Sequence, residues 1–177
     1  MRRFLAFLYD AAGYLAAFFV FGIFAVMIVQ TVMREIGRST SGMDDLVSWM
    51  CAASFFLAMA HTYRHGDFVR VTLLIERLTP RVRAVFEVVA LVIAAVFTGY
   101  LAWWAVRYVY ESWKFKEIST GVIIVPIWIP QLSFSVGAAL LFVAVLEQLW
   151  EVLRGRKPAY QLAVEERHAR GDYSEDY

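Results

Sequence analysis

The sequence predicts an all-α integral membrane protein with four transmembrane helices, both termini on the cytoplasmic side, and an amphipathic interfacial helix in the middle loop. Three observations predict this. Of the 177 residues, 60% are hydrophobic and 19% charged, with a mean hydropathy of +0.57; a soluble domain is about 45–50% apolar and about 25% charged. The charges are excluded from four long stretches. The basic residues between those stretches alternate in density.

Residues 11–33 form an uncharged run of 23, long enough for one span of roughly 17–25 residues. A cleaved leader is the rival reading, with Arg2 and Arg3 as its basic head. The run is too long for an apolar leader core of about 7–15 residues, and no small-residue cleavage site precedes Arg34. The second run, Leu46 to Ala60, has 15 residues and recruits Met43 or Tyr63 at its ends, giving a span over about 44–63. The third, Val88 to Val106, has 19 and predicts a span over about 86–106. The fourth, Ile118 to Leu146, has 29 residues with Pro126 and Pro130 inside it. That is too long for one straight helix, and proline breaks helix interiors. Residues 118–129 therefore read as an interfacial or re-entrant stretch, and 130–150 as the last span.

The segment before the second run, REIGRSTSGMDDL, holds Ser41 three residues ahead of Asp44, the spacing of a capping box. Asp44 and Asp45 then fall in the first helical turn, where negative charge suits the helix dipole. The sharper alternative is an acidic site facing a partner or a cation. In the middle loop, Val71, Leu74, Ile75 and Leu78 follow amphipathic spacing over about 68–79, with Arg70 and Arg77 on the other face. Such a helix lies in the membrane interface, after a turn at Gly66 and before Pro80; the plainer reading is an apolar connector. Together residues 1–157 form the membrane domain, and the polar stretch 158–177 reads as a disordered cytoplasmic tail.

Orientation follows from charge. The segments containing residues 1–10, 64–85 and 151–177 carry twelve Lys+Arg, and the two others carry five. The richer side is the cytoplasmic one, leaving 34–45 and 107–129 outside. Trp103, Trp104, Tyr108, Tyr110 and Trp113 supply an outer aromatic belt, and Tyr9 and Trp150 mark the inner interface.

Several functions are disfavoured. A net charge of +1 lacks the basic footprint of a nucleic-acid binder. One cysteine, Cys51, allows no intramolecular disulfide. Of three histidines only His61 lies near a span, which speaks against haem. No phosphate loop, zinc motif or nucleophile elbow occurs, so the expectation is no enzyme: no catalytic, substrate-binding or metal residues and no cofactor. No Asp, Glu, Lys or Arg sits deep in a span, whereas ion-coupled carriers show such groups or broken helices. Small residues at Cys51–Ser54, at Ala90, Ala94 and Thr98, and at Ser133 and Gly137 suit close helix packing, within the chain or against a partner.

The residues also resemble a known family, the small membrane subunit (DctQ/SiaQ type) of tripartite ATP-independent periplasmic (TRAP) transporters, over about residues 10–155. The resemblance rests on Asp44-Asp45 with Trp49, on FFLAMAHTYRHGDFVRV with Arg64, Gly66 and Val71, and on STGVIIVPIWIPQLSFSVGAALL with Ser119, Gly121, Pro126, Trp128 and Gly137. The family often carries glutamate at the acidic pair, a histidine near Phe68 and an aspartate near Thr72; this chain departs from it at all three. The resemblance implies a three-part uptake system of the bacterial inner membrane. A periplasmic (DctP-type) protein captures an organic acid, and a large (DctM-type) subunit carries it inward by a sodium-driven elevator movement. The small subunit is then a fixed scaffold that binds neither substrate nor sodium. Asp44, Asp45, Trp49, Arg64, Gly66, Gly121, Pro126, Trp128 and Gly137 become candidate interface or structural residues. The alternatives are a membrane anchor of a redox complex, disfavoured by the histidines, and a stand-alone homo-oligomeric transporter, disfavoured by the uncharged spans.

Overall fold

The computed structural model describes residues 2–65 and 79–155. Among the described residues are four helices, α1 (Arg2–Glu35), α2 (Met43–His65), α3 (Pro80–Lys114) and α4 (Trp128–Leu153). All four are long and apolar enough to cross a membrane. Among the described residues there is no strand, only an isolated antiparallel bridge between Ile118 and Pro126. The expected interfacial helix falls, except for Thr79, outside the described residues, as do Gly66 and the expected tail.

Each helix ends for a local reason. α1 closes in a Schellman turn, with Arg38 N–H on the Met33 carbonyl (2.9 Å) and Gly37 N–H on that of Arg34 (3.1 Å). α3 opens on Pro80 after an extended Thr79 (φ −62°, ψ 149°); a proline at the first helical position has no donor to leave unpaired. α4 begins at Trp128, two residues before Pro130. The N–H that Pro130 lacks falls in the first turn, where donors have no intrahelical acceptor anyway. The helices of 34 and 35 residues extend about 50 Å at 1.5 Å per residue. That exceeds a hydrocarbon core of about 30 Å, so α1 and α3 protrude from it or tilt.

The principal contacts are α1 on α2, α2 on α4, and α4 on α3. α4 is the central helix: 33% of its most apolar window is buried, against 11% in α1 and in α3. Opposite Gly13 on α1 is His61, which makes α1 and α2 antiparallel with the Gln30–Asp44 contact at the far end. Phe56 meets Gly137, and Ala60 clusters with Leu141, so α2 and α4 run the same way. The buried core is made mostly of small residues. Tyr9, Ala60, Ala95, Leu141, Ala144 and Val145 form its largest part, Ala12, Ala16 and Leu57 a second, and Ala102, Ala105 and Ala138 a third. Between apolar lipid and apolar helix there is no hydrophobic gain to drive association, so close backbone approach through small residues does it. On α3 the buried line is Leu91, Ala95, Ala102, Ala105 and Ser112, while Ala90 is exposed. Cys51 is exposed too.

Candidate functional site: an acidic junction of three segments

At the end of the bundle that carries the α1–α2 and α3–α4 connections, two adjacent carboxylates reach in different directions. Asp44 and Asp45 occupy the first turn of α2. Their charge faces the helix's own unpaired N–H groups. Asp44 Oδ1 also accepts a hydrogen bond from Gln30 Nε2 of α1 (2.8 Å). Asp45 Oδ2 accepts one from the backbone N–H of Val122 (3.0 Å), 77 residues away. The pair therefore ties α2 to α1 on one side and to the α3–α4 connection on the other. Hydrogen bonds to a charged acceptor contribute about 1.5–3 kcal/mol each, less where solvent reaches them, as at exposed Asp44.

The connection that Asp45 holds is folded on itself. The Ser119 N–H donates to Val125 O (2.8 Å) and Ile127 N–H to Glu117 O (3.1 Å), around the Ile118–Pro126 bridge. Pro126 sits in that bridge without needing a donor of its own. Buried Ser112, near the end of α3, donates through Oγ to Glu117 Oε2 (2.7 Å). Ser119 Oγ accepts from the N–H of Gly121 (3.2 Å). Gly121 is required here by space: a Cβ on it would overlap the Asp45 carboxylate. Gly42 meets the loop from the other side. Its φ of +88° is left-handed, and a Cβ there would lie 2.8 Å from Ile123 Cγ1. Gly42 O accepts the first helical bond, from Leu46 N–H (3.3 Å), while the Ser41 hydroxyl pairs with Ser39 Oγ (2.9 Å). α2 thus opens on Gly42, one residue after the Ser41 of the expected capping box.

The remaining expected site residues are dispersed. Half-buried Trp49 lines a small cleft with Tyr108, Ile127, Pro130, Gln131 and Phe134, beside the start of α4 at Trp128. Gly137 lies midway along α4, where a Cβ would come within 2.6 Å of the Phe56 backbone. Arg64 is at the opposite end of the bundle, its guanidinium 5.0 Å above the ring of fully buried Tyr9. Gln30, Gly42 and Val122, which complete the junction, were not expected from the sequence. Gln30 did carry a signal, as the only amide in the first uncharged run. Among the described residues no cluster of three or more His, Cys, Asp or Glu could hold a metal ion.

The family model described as "Tripartite ATP-independent periplasmic transporters, DctQ component" matches residues 23–155, which takes in the junction, all of α2, α3 and α4 and the last part of α1, from residue 23 to Glu35. No curated protein matches the chain.

Proposed function

The chain belongs to the DctQ-component family of the tripartite ATP-independent periplasmic transporters, and from that membership we propose that it is the stationary scaffold of a sodium-driven organic-acid importer. The family works with DctM and DctP components, so the chain is a transporter component and not an enzyme. In this reading a periplasmic DctP-type protein delivers the acid, a DctM-type subunit moves it, and this chain packs beside the moving subunit without touching substrate or sodium. The observation that carries the reading is the match across residues 23–155. Two features support the scaffold role. α1 and α3 expose large apolar side chains, Phe18, Phe21 and Phe24 on one and Phe86, Ile93 and Phe97 on the other, a surface suited to lipid or to a neighbouring membrane subunit. The α2–α4 contact at Gly137 is a backbone-to-backbone approach that leaves little room for sliding.

The proposed placement is the bacterial inner membrane. Spans lie at about 11–33, 44–63, 86–106 and 130–150, with both termini and residues 158–177 cytoplasmic and an interfacial helix over about 68–79. The twelve-to-five distribution of basic residues supports it. The Asp44–Asp45 junction then faces the periplasm, where it holds the two outer connections in the shape that neighbouring subunits meet. Replacing both acids (Asp44→Ala with Asp45→Ala) is expected to weaken complex assembly and uptake while solute capture by the isolated periplasmic protein is unchanged. Complex yield and uptake at the unmodified level in that double variant would overturn the assignment.

A further inference from the structure

We propose that the cleft between α1 and α2 holds one acyl chain of a phospholipid whose amine-bearing headgroup sits against Asp10. The cleft measures about 830 Å³, within the range of small-molecule sites. Its carboxylate and imidazole lie at one end; farther in, the Ser54 hydroxyl is turned onto the Cys51 carbonyl (2.9 Å). Asp10 and His61 stand at its mouth, and Ala17, Val20, Cys51 and Phe55 line the way inward. Gly13 shapes the mouth, because a Cβ there would come within 2.8 Å of the His61 imidazole. That imidazole is turned toward the backbone: Nδ1 lies 3.1 Å from the Tyr9 carbonyl and 3.8 Å from Asp10 Oδ1. The second distance is beyond a hydrogen bond. The Asp10 side chain remains 51% exposed at the entrance.

The depth of the cleft identifies the occupant. It runs from Asp10 to Val20 on α1 and from His61 back to Cys51 on α2. Ten residues of helix rise about 15 Å, half of a hydrocarbon core of about 30 Å. Just beyond, the Met50 methyl closes over Gly22. A cleft that starts at headgroup level and stops near the midplane fits a chain of one leaflet. A partner's transmembrane helix would need a groove through both. The carboxylate at the mouth complements an ammonium and disfavours a headgroup with net negative charge. This inference requires only that the helices lie in a bilayer, and it stands or falls separately from the transporter assignment.

The test uses the full chain in vesicles of phosphatidylethanolamine and phosphatidylglycerol. A trace of either lipid carries a photoactivatable group on its acyl chain, and the labelled peptides are sequenced. The ethanolamine probe is expected to concentrate on residues 13–20 and 51–58 and to exceed the glycerol probe there by up to about five-fold, the ceiling for one exposed ion pair. Asp10→Asn should abolish the preference between headgroups. Ala17→Phe, which fills the cleft without touching Asp10, should remove the label from both segments. Labelling spread evenly over the apolar faces of α1 and α3, equal labelling by both probes, or indifference to both variants would overturn the proposal. So would crosslinking of residues 13–20 to another membrane subunit in place of lipid in the assembled complex.

Discussion

Asp45 and Gly121 form a unit in which the acid supplies the acceptor and the glycine the space for it. The acidic pair is legible in the sequence as a helix start, because charge position relative to an apolar run is a local property. Its partners are not, because Val122 lies 77 residues away and Gln30 fourteen, and no periodicity connects them. A double-mutant cycle tests the unit. Asp45→Ala removes the acceptor of the solvent-reached Val122 N–H and is expected to destabilise by about 0.5–1.5 kcal/mol; Gly121→Ala drives a methyl into the carboxylate and is expected to cost about 1–3 kcal/mol. Once Asp45 is alanine, the Gly121 methyl has nothing to strike, so the pair should couple by about 0.5–3 kcal/mol. Thermal unfolding of the four proteins in one detergent measures this, and strictly additive losses would contradict the contact.

The helices themselves were readable from the uncharged runs, since length and hydropathy decide whether a segment can span. Their ends were less so. The last helix opens at Trp128 and not at Pro130, because proline is compatible with a first turn, and helix geometry continues until its unpaired donors are accommodated. The choice of packing face was also hidden. Small residues recur on several faces of the third span, and only steric fit selects Ala95, Ala102 and Ala105. Gly137 offers the sharpest test at this scale. In an isolated helix, glycine to alanine gains about 1 kcal/mol in propensity. Here the added methyl meets the Phe56 backbone at 2.6 Å, and overpacking of this kind costs about 1–3 kcal/mol. Gly137→Ala is therefore expected to lower the unfolding temperature, whereas Val136→Ala, at an exposed neighbour, should change it little. A Gly137→Ala protein more stable than the parent would show that α2 and α4 are not in backbone contact.

For the whole molecule, the proposed orientation predicts a labelling pattern. With Cys51 replaced by serine, a cysteine at Ser39 should react with a membrane-impermeant maleimide in intact cells, and one at Arg154 only after permeabilisation. The reverse pattern would invert the assignment of the acidic junction to the periplasmic side. The amino-acid sequence by itself determined that four segments are helices long and apolar enough to cross a membrane, and about where each is centred. It could do so because a bilayer reads a chain one segment at a time, by length and apolarity. Its motifs also pointed to the family. The tertiary structure alone decided that α4 is central, that α2 stands between it and α1, and that one acidic pair clamps three segments. In lipid every face of these helices is nearly equally apolar, so hydrophobicity cannot rank neighbours. The ranking comes from close fit and a few hydrogen bonds, Phe56 against Gly137 and Asp45 against Val122, whose partners meet only when the bundle has assembled.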